Sequence, residues 1–246
     1  MTNQDNFAVV IPARYKSSRF PGKPLVDLCG KPMIQHVWER CCEAVSPDKV
    51  FIATEDERIR EAVEGFGGQV VMTSDKCLTG TDRLAEANLK LDCDFIVNVQ
   101  GDEPLIDPAN INVVIKRYLA SGNITNAYSE ITDDAEFTSL TVPKVVCSKT
   151  GRLVYMSRAA IPLTKSGEFI RAHKQVCIYA FSREHLAFFA SHNEKSPLEE
   201  IEDIEILRFL EADYQVDMIE VPSGSLAVDV PEDVDKVVDV MARVER

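Results

Sequence analysis

Between residues 7 and 99 short, unbroken apolar runs alternate with amphipathic stretches, and this alternation limits the folds open to the chain more than any other feature. Phe7–Pro12 (FAVVIP), Val50–Thr54 (VFIAT), Val70–Thr73 and Phe95–Val99 (FIVNV) read as strands. A strand apolar on both sides must be covered on both sides, which is the condition of a parallel sheet with helices packed above and below. The stretches between supply those helices: Pro32–Val45, with Met33, Ile34, Val37 and Trp38 on one side, then Asp56–Phe66 and Asp82–Leu91. Right-handed crossovers make this an open, doubly wound sheet, whose ligand site lies at the carboxyl ends of its strands.

After about Asn123 the pattern changes. Val142–Cys147, Leu153–Met156 and Val176–Phe181 read as strands of a mixed or antiparallel extension. Leu198–Ala212 reads as one amphipathic acidic helix, and Pro231–Arg243 as a final helix with proline in its first turn. No long linker, repeat or low-complexity tract interrupts the 246 residues. The expectation is an α/β protein, a Rossmann-like doubly wound and mostly parallel sheet with a smaller mixed α/β lobe. Residues 1–122 would be the core, about 123–225 the lobe, and 226–246 a return to the core.

The net charge of −13 argues against general affinity for nucleic acid or an anionic membrane surface. A phosphate or carboxylate site in such a chain must be a local cluster of cations. The seven cysteines (Cys29, Cys41, Cys42, Cys77, Cys93, Cys147 and Cys177) include no CxxC pair and are odd in number. They read as small, buried apolar residues in a reducing compartment, not as disulfides or zinc ligands. Polar Met1–Asn6 and the short strand after it suit neither a signal peptide nor a membrane span, so the expected location is the cytoplasm, without membrane insertion.

The cation cluster follows the first strand. Ile11–Lys31 (IPARYKSSRFPGKPLVDLCGK) places Arg14, Lys16, Arg19 and Lys23 within ten residues, with Ser17, Ser18 and Gly22 between them. At the carboxyl end of a strand these cations and the loop amides suit a triphosphate, and Gly22 permits close approach of backbone to ligand. A solvated basic loop is the alternative. Neither GxGxxG nor GxxxxGK[ST] is present, which weakens a dinucleotide dehydrogenase and a P-loop ATPase. Asn98–Pro104 (NVQGDEP) presents Asp102 at the same sheet edge, and Asp229 lies just before the final helix. Hard oxygens of this kind suit Mg2+, which binds one or two carboxylates together with substrate phosphates. Each aspartate also suits a turn or a helix cap.

The run PARYKSSRFPGKPLVDLCGKPMIQHV resembles the signature of the CMP-Kdo synthetases, the 3-deoxy-manno-octulosonate cytidylyltransferases. It is more distantly similar to the acylneuraminate cytidylyltransferases. Further blocks extend the resemblance: TGTDRLAE at 79–86, NVQGDEPLI at 98–106, PKVV at 143–146, YMSRAAIP at 155–162, IYAF at 178–181, SPLEEIE at 196–202 and VDVPEDVDKV at 228–237. The resemblance implies that the anomeric hydroxyl of a 3-deoxy-ulosonic acid attacks the α-phosphate of CTP and that pyrophosphate leaves. It implies Arg14, Arg19 and Lys23 on the triphosphate, with catalytic roles for these and Asp102, and Asp102 and Asp229 as ligands of Mg2+. Gly80, Thr81, Arg83 and Gln100 would surround the cytosine and ribose. For Gly80 and Thr81 the plainer alternative is a helix start, with Thr79 and Thr81 both able to cap it. Lys144, Arg158, Gln175, Tyr179 and Glu202 would face the sugar acid, though each could instead stabilise the lobe. A homodimer formed through the lobe is also implied; the apolar stretch Leu186–Ala190 could serve it or the protein's own core.

The sugar half departs from the family. Its typical His-Leu/Val-Gly-Ile-Tyr run is here Gln175-Val176-Cys177-Ile178-Tyr179, with His173 two positions early. Its Leu-Glu-Gln-Leu-Arg stretch is Ile204-Glu205-Ile206-Leu207-Arg208, Cys77 stands at a family histidine, and Gly-Val-Asp has become Ala227-Val228-Asp229. Loss of a polar contact to a substrate hydroxyl changes selectivity strongly, so beside Kdo, the foremost candidate, stand an amino-substituted Kdo, a shorter or longer ulosonic acid and a sialic-like nonulosonic acid; the milder alternative is drift, with Gln175 still donating a hydrogen bond. Two alternatives remain: a nucleotidyltransferase of the same fold that uses another base and a sugar 1-phosphate, and a non-catalytic sugar-nucleotide-binding module, against which the retention of Arg14, Arg19, Lys23, Asp102 and Asp229 speaks.

Overall fold

Ala8–Ile11 leave the first strand no polar face, and β1 (Phe7–Pro12) is buried from Ala8 onward. The computed structural model describes residues 6–16, 20–192, 194–222 and 226–244. Two compact units make up the chain: Met1–Asn112 with Gly224–Arg246, and Val113–Ser223.

In the first unit β1 leads through a small hairpin, β2 (Asp27–Leu28) and β3 (Lys31–Pro32), into α1 (Met33–Ala44). α1 buries Met33, Ile34, Val37 and Cys41, the stripe expected of a helix lying on a sheet. β4 (Val50–Thr54), α2 (Glu57–Gly65), β5 (Gln69–Met72), α3 (Gly80–Leu91) and β6 (Phe95–Val99) follow. β1 pairs in parallel with β4 (Val9 opposite Val50) and with β6 (Val9 opposite Val97), and β4 pairs in parallel with β5. The sheet is parallel, as expected, and its strands lie in the order β6-β1-β4-β5. Asp56 caps α2 by accepting the Arg58 amide. Thr79, not Thr81, caps α3 in a reciprocal capping box with Asp82.

α4 (Pro108–Ser121) carries the chain into the second unit, which contains β7 (Ile124–Ile131), α5 (Asp134–Thr138), β8 (Lys144–Cys147), β9 (Leu153–Ser157), β10 (Ala172–Ser182), α6 (Arg183–Ala190), α7 (Pro197–Glu202), α8 (Ile206–Glu211) and β11 (Val216–Glu220). β7 pairs antiparallel with β10 and parallel with β11, while β8 pairs antiparallel with β10 and β9, a mixed sheet. The single helix expected over Leu198–Ala212 is two: Asp203 takes a left-handed conformation (φ 51°) that ends α7 before α8 begins. The helices are held together by a buried pair in which both Glu199 oxygens accept from Arg208 (2.6 and 2.8 Å), whose guanidinium also lies 3.6 Å from the Phe189 ring centre.

The chain then returns to the first unit and ends in α9 (Asp233–Val244). This helix begins two residues later than expected. Asp233 accepts the amides of Asp229 and Val230 at 3.1 and 3.2 Å, which makes the segment containing Pro231 a turn before the helix. Val237 and Met241 pack with Val228 on Leu28 and Met33. All seven cysteines are free, but only Cys41 and Cys93 are buried, and Cys29 is exposed.

Candidate functional site

The basic loop is shaped by its own backbone. Tyr15 accepts the Gly22 amide at 2.9 Å, which draws the two ends of the segment together. Gly22 has φ 74°, a conformation that favours glycine, and a Cβ there would meet the Tyr15 ring at 3.2 Å and have to push it back by a few tenths of an ångström. The Arg58 guanidinium lies over the Tyr15 ring, 3.3 Å from its centre, and the Tyr15 amide donates to Glu55 Oε1 at 3.3 Å. Arg14 and Lys16 are exposed. Arg19, with Ser17 and Ser18, lies outside the described residues.

Lys23 opens a short 3-10 turn, and its ammonium reaches across the sheet edge. It donates to Asp102 Oδ2 at 3.0 Å and to the Val228 carbonyl at 2.8 Å, with Asp229 Oδ1 at 3.9 Å. Three distant segments therefore meet at one nitrogen. Gly101 brings the turn after β6 close to β1: a Cβ there would lie 3.2 Å from the Pro12 carbonyl oxygen and 3.3 Å from Ile34. The Asp102 carbonyl accepts the Val228 amide at 2.9 Å, and buried Val228 anchors Asp229 beside it. The side chains of Lys23, Asp102 and Asp229 are 18%, 29% and 35% exposed, so the cluster is anchored yet open to a ligand. Two carboxylates and a carbonyl that already hold an ammonium are a donor set of the kind that suits a hard divalent cation. Among the described residues no group of three or more His, Cys, Asp or Glu side chains could hold a metal, so a cation here would rely on this pair and on substrate oxygens.

The remaining nucleotide-side candidates lie at the same edge. Gly80 is the first residue of α3, Thr81 is buried, and Gln100 is half-buried just beyond β6. Arg83 is 4% exposed; it pairs with Glu55 Oε2 at 2.8 Å and donates to Thr73 Oγ1. Glu55 thus joins the basic loop to α3, a role the sequence reading missed. Its position directly after the apolar run VFIAT, at a strand's carboxyl end, was the available signal.

In the second unit Lys144, Arg158 and Glu202 form one network around residues 139–143. Lys144 is fully buried and donates to the carbonyls of Ser139 (2.7 Å) and Val142 (2.6 Å). Burial and the nearby Arg158 charge push its pKa below the ordinary lysine value. Arg158 spends its guanidinium on the carbonyls of Glu202 (2.6 Å), Asp203 (2.9 Å) and Leu140 (3.0 Å). Glu202 accepts from Ser157 Oγ (2.6 Å), the Arg158 amide (2.9 Å) and Tyr155 OH (3.4 Å). Burial acts to raise the Glu202 pKa, but these donors and the Arg158 charge outweigh it and hold the carboxyl below its usual range. The Gln175 amide donates to the Pro143 carbonyl at 3.0 Å, which brings β10 alongside this network. Tyr179 stacks on Phe181 with ring centres 5.7 Å apart. Ile206 is 2% exposed at the start of α8. Within the Leu186–Ala190 stretch, Leu186 and Phe189 are buried in the chain's own core.

Residues 8–218 match the family model described as cytidylyltransferase. The chain is 43% identical to the 3-deoxy-manno-octulosonate cytidylyltransferase of Geobacter metallireducens, over 95% of this chain and 97% of that one. It is 41% identical to the 8-amino-3,8-dideoxy-manno-octulosonate cytidylyltransferase of Shewanella halifaxensis, over 93% of this chain and 96% of the relative. Among solved structures it is similar to a CMP:2-keto-3-deoxy-manno-octonic acid synthetase complexed with CTP, with a TM-score of 0.90 and 37% identity over 97% of this chain and 99% of the other. Among the described residues no helix is long and apolar enough to cross a membrane.

Proposed function

This chain belongs to the cytidylyltransferase family, and we propose that it transfers CMP from CTP to a 3-deoxy-ulosonic acid, foremost Kdo, with release of pyrophosphate. The observation that carries the proposal is the meeting of Lys23, Asp102 and Asp229 at the carboxyl edge of a parallel sheet. The anomeric hydroxyl oxygen forms the new bond to the α-phosphorus, the bond from that phosphorus to the oxygen bridging to the β-phosphate breaks with its electron pair leaving on pyrophosphate, and the hydroxyl proton passes to solvent. Such a displacement depends on in-line positioning and charge neutralisation, and it needs no covalent intermediate. Arg14, Arg19 and Lys23 hold the triphosphate and stabilise the departing pyrophosphate. Asp102 and Asp229 would hold Mg2+, which supplies Lewis-acid charge stabilisation when bound. Gly80, Thr81, Arg83 and Gln100 form the base and ribose side, with Arg83 held in place by Glu55. Lys144, Arg158, Gln175, Tyr179 and Glu202 form the sugar side.

A second reading, in which the acid is an 8-amino-Kdo, is favoured by the nearly equal identity to relatives of that name and by the departures at Gln175, Cys177 and Ile206. We place the enzyme in the cytoplasm as a homodimer feeding surface polysaccharide synthesis. Pyrophosphate release measured with CTP, Mg2+ and a panel of Kdo, 8-amino-Kdo and a nonulosonic acid tests the reading. CTP-specific release with at least one acid is expected; no release with any of them would overturn it.

A further inference from the structure

The two strands that carry the sugar-side candidates do not pair regularly. β10 and β7 keep antiparallel register from Ala172 opposite Ile131 to Val176 opposite Ala127. The next pair is Tyr179 with Asn126, so Cys177 and Ile178 are extra residues on β10. A bulge of this kind takes backbone groups off the ladder and re-aims the side chains that flank it. Here the side chain of Asn126 meets the displaced backbone: its Nδ2 donates to the carbonyls of Val176 and Ile178, each at 2.9 Å. Both amide hydrogens are thereby used. Its Oδ1 accepts from Gln175 Nε2 at 3.4 Å, and Asn126 is completely buried. One side chain therefore sets the shape of the bulge and tethers Gln175 just before it, while Tyr179 emerges just after it.

We infer that Asn126 is a positioning residue for the sugar acid: by fixing the bulge it aims Gln175 and Tyr179 and so helps to decide which acid is accepted. The inference rests on the reading that Gln175 and Tyr179 contact that acid. Asn126 has no prominence in the sequence, since it lies inside a strand and belongs to no motif. Its side chain is matched to a bulge some fifty residues away, as the separations of 50 and 52 residues to its acceptors record.

The test is a kinetic split. Asn126→Ala and Gln175→Leu, and the double variant, are assayed for pyrophosphate release against both substrates, with fraction folded measured by denaturation. Asn126→Ala is expected to raise KM for the acid by about tenfold or more while KM for CTP changes less than about twofold. Gln175→Leu should shift the same parameter, and the double variant should fall short of the product of the two effects because they share one contact. If Asn126→Ala fails to fold, Asn126→Ser carries the test, since its hydroxyl can donate to only one of the two bulge carbonyls and so still loosens the bulge. A merely structural Asn126 would lower the amount of active enzyme and leave both KM values unchanged, and that result overturns the inference. Wild-type enzyme without pyrophosphate release on any acid would overturn the function itself, and this inference with it.

Discussion

Asp102→Asn separates the catalytic contribution of the cluster from its structural one. The change keeps the shape of the side chain and removes its charge. Asp102 contributes to the fold mainly through its backbone carbonyl, which accepts the Val228 amide at 2.9 Å and is untouched by the substitution. The side-chain pair with Lys23, at 3.0 Å, is 18% and 29% exposed on its two members, and Lys23 keeps a second bond to the Val228 carbonyl at 2.8 Å. A partly buried, hydrogen-bonded pair of this kind contributes roughly 1–2 kcal/mol to stability, and the Asn side chain keeps an oxygen that can still accept from Lys23. The loss of a charge that stabilises the transition state costs about 10²- to 10³-fold in kcat, or roughly 2.7–4 kcal/mol. The expected result is therefore an enzyme with near-wild-type urea denaturation whose turnover has fallen at least about a hundredfold. The assay is pyrophosphate release at saturating CTP, acid and Mg2+, run in parallel on Asp229→Asn. Near-wild-type turnover in either variant would remove that residue from the catalytic site. A stability loss of about 3–5 kcal/mol, the cost of breaking a fully buried pair, would refute the argument that the carboxylate is spared for chemistry.

Gly22→Ala should lose about 1–2 kcal/mol of stability, because an L-residue is strained at φ 74° and its Cβ meets the Tyr15 ring; kcat/KM for CTP should fall with it, and an unchanged value for CTP would detach the loop from the triphosphate. Arg208→Met should cost about 3–5 kcal/mol, since it leaves Glu199 as an uncompensated charge in a site where the two side chains are 3% and 1% exposed; chemical denaturation reads this directly, and a loss below 1 kcal/mol would contradict the burial argument. Glu202 has a depressed folded-state pKa, so its contribution is present above the unfolded-state value near 4.3 and is lost as the pH falls through the folded-state value. The Tm difference between wild type and Glu202→Gln should accordingly be large at pH 7 and shrink below about pH 4, and a constant difference across that range would exclude the linkage.

Local composition was sufficient for the first unit. VVI after Phe7, VFIAT and FIVNV can be satisfied only by burial on both faces, so a parallel sheet and its ligand-bearing edge followed from residues close in sequence. Lys23 and Asp102 were legible as candidates for the same reason: both follow apolar strands at the edge where such sheets bind ligands. The second unit was less legible. α4, β7 and β11 were not anticipated, in part because β7 (ITNAYSEI) buries Thr125, Asn126 and Ser129 and so lacks the apolar run that marks a strand. The acidic stretch over Leu198–Ala212 has helical periodicity throughout, and the break at Asp203 is a matter of one left-handed residue that periodicity does not register.

What the sequence by itself determined was the repertoire: the cations of the basic loop, the two aspartates, and the strands that carry them to one edge. Only the tertiary structure decided who meets whom. Lys23 finds Asp102 at a separation of 79 residues and the Val228 carbonyl at 205, and the Arg83 guanidinium turns inward to Glu55. Likewise Asn126 closes on a bulge some fifty residues further along the chain. Each of these contacts satisfies a polar group left over after the local hydrogen bonds have formed, and the cost of burying such a group unpaired is what selects its partner. That partner is specified by packing in three dimensions, where periodicity along the chain carries no information.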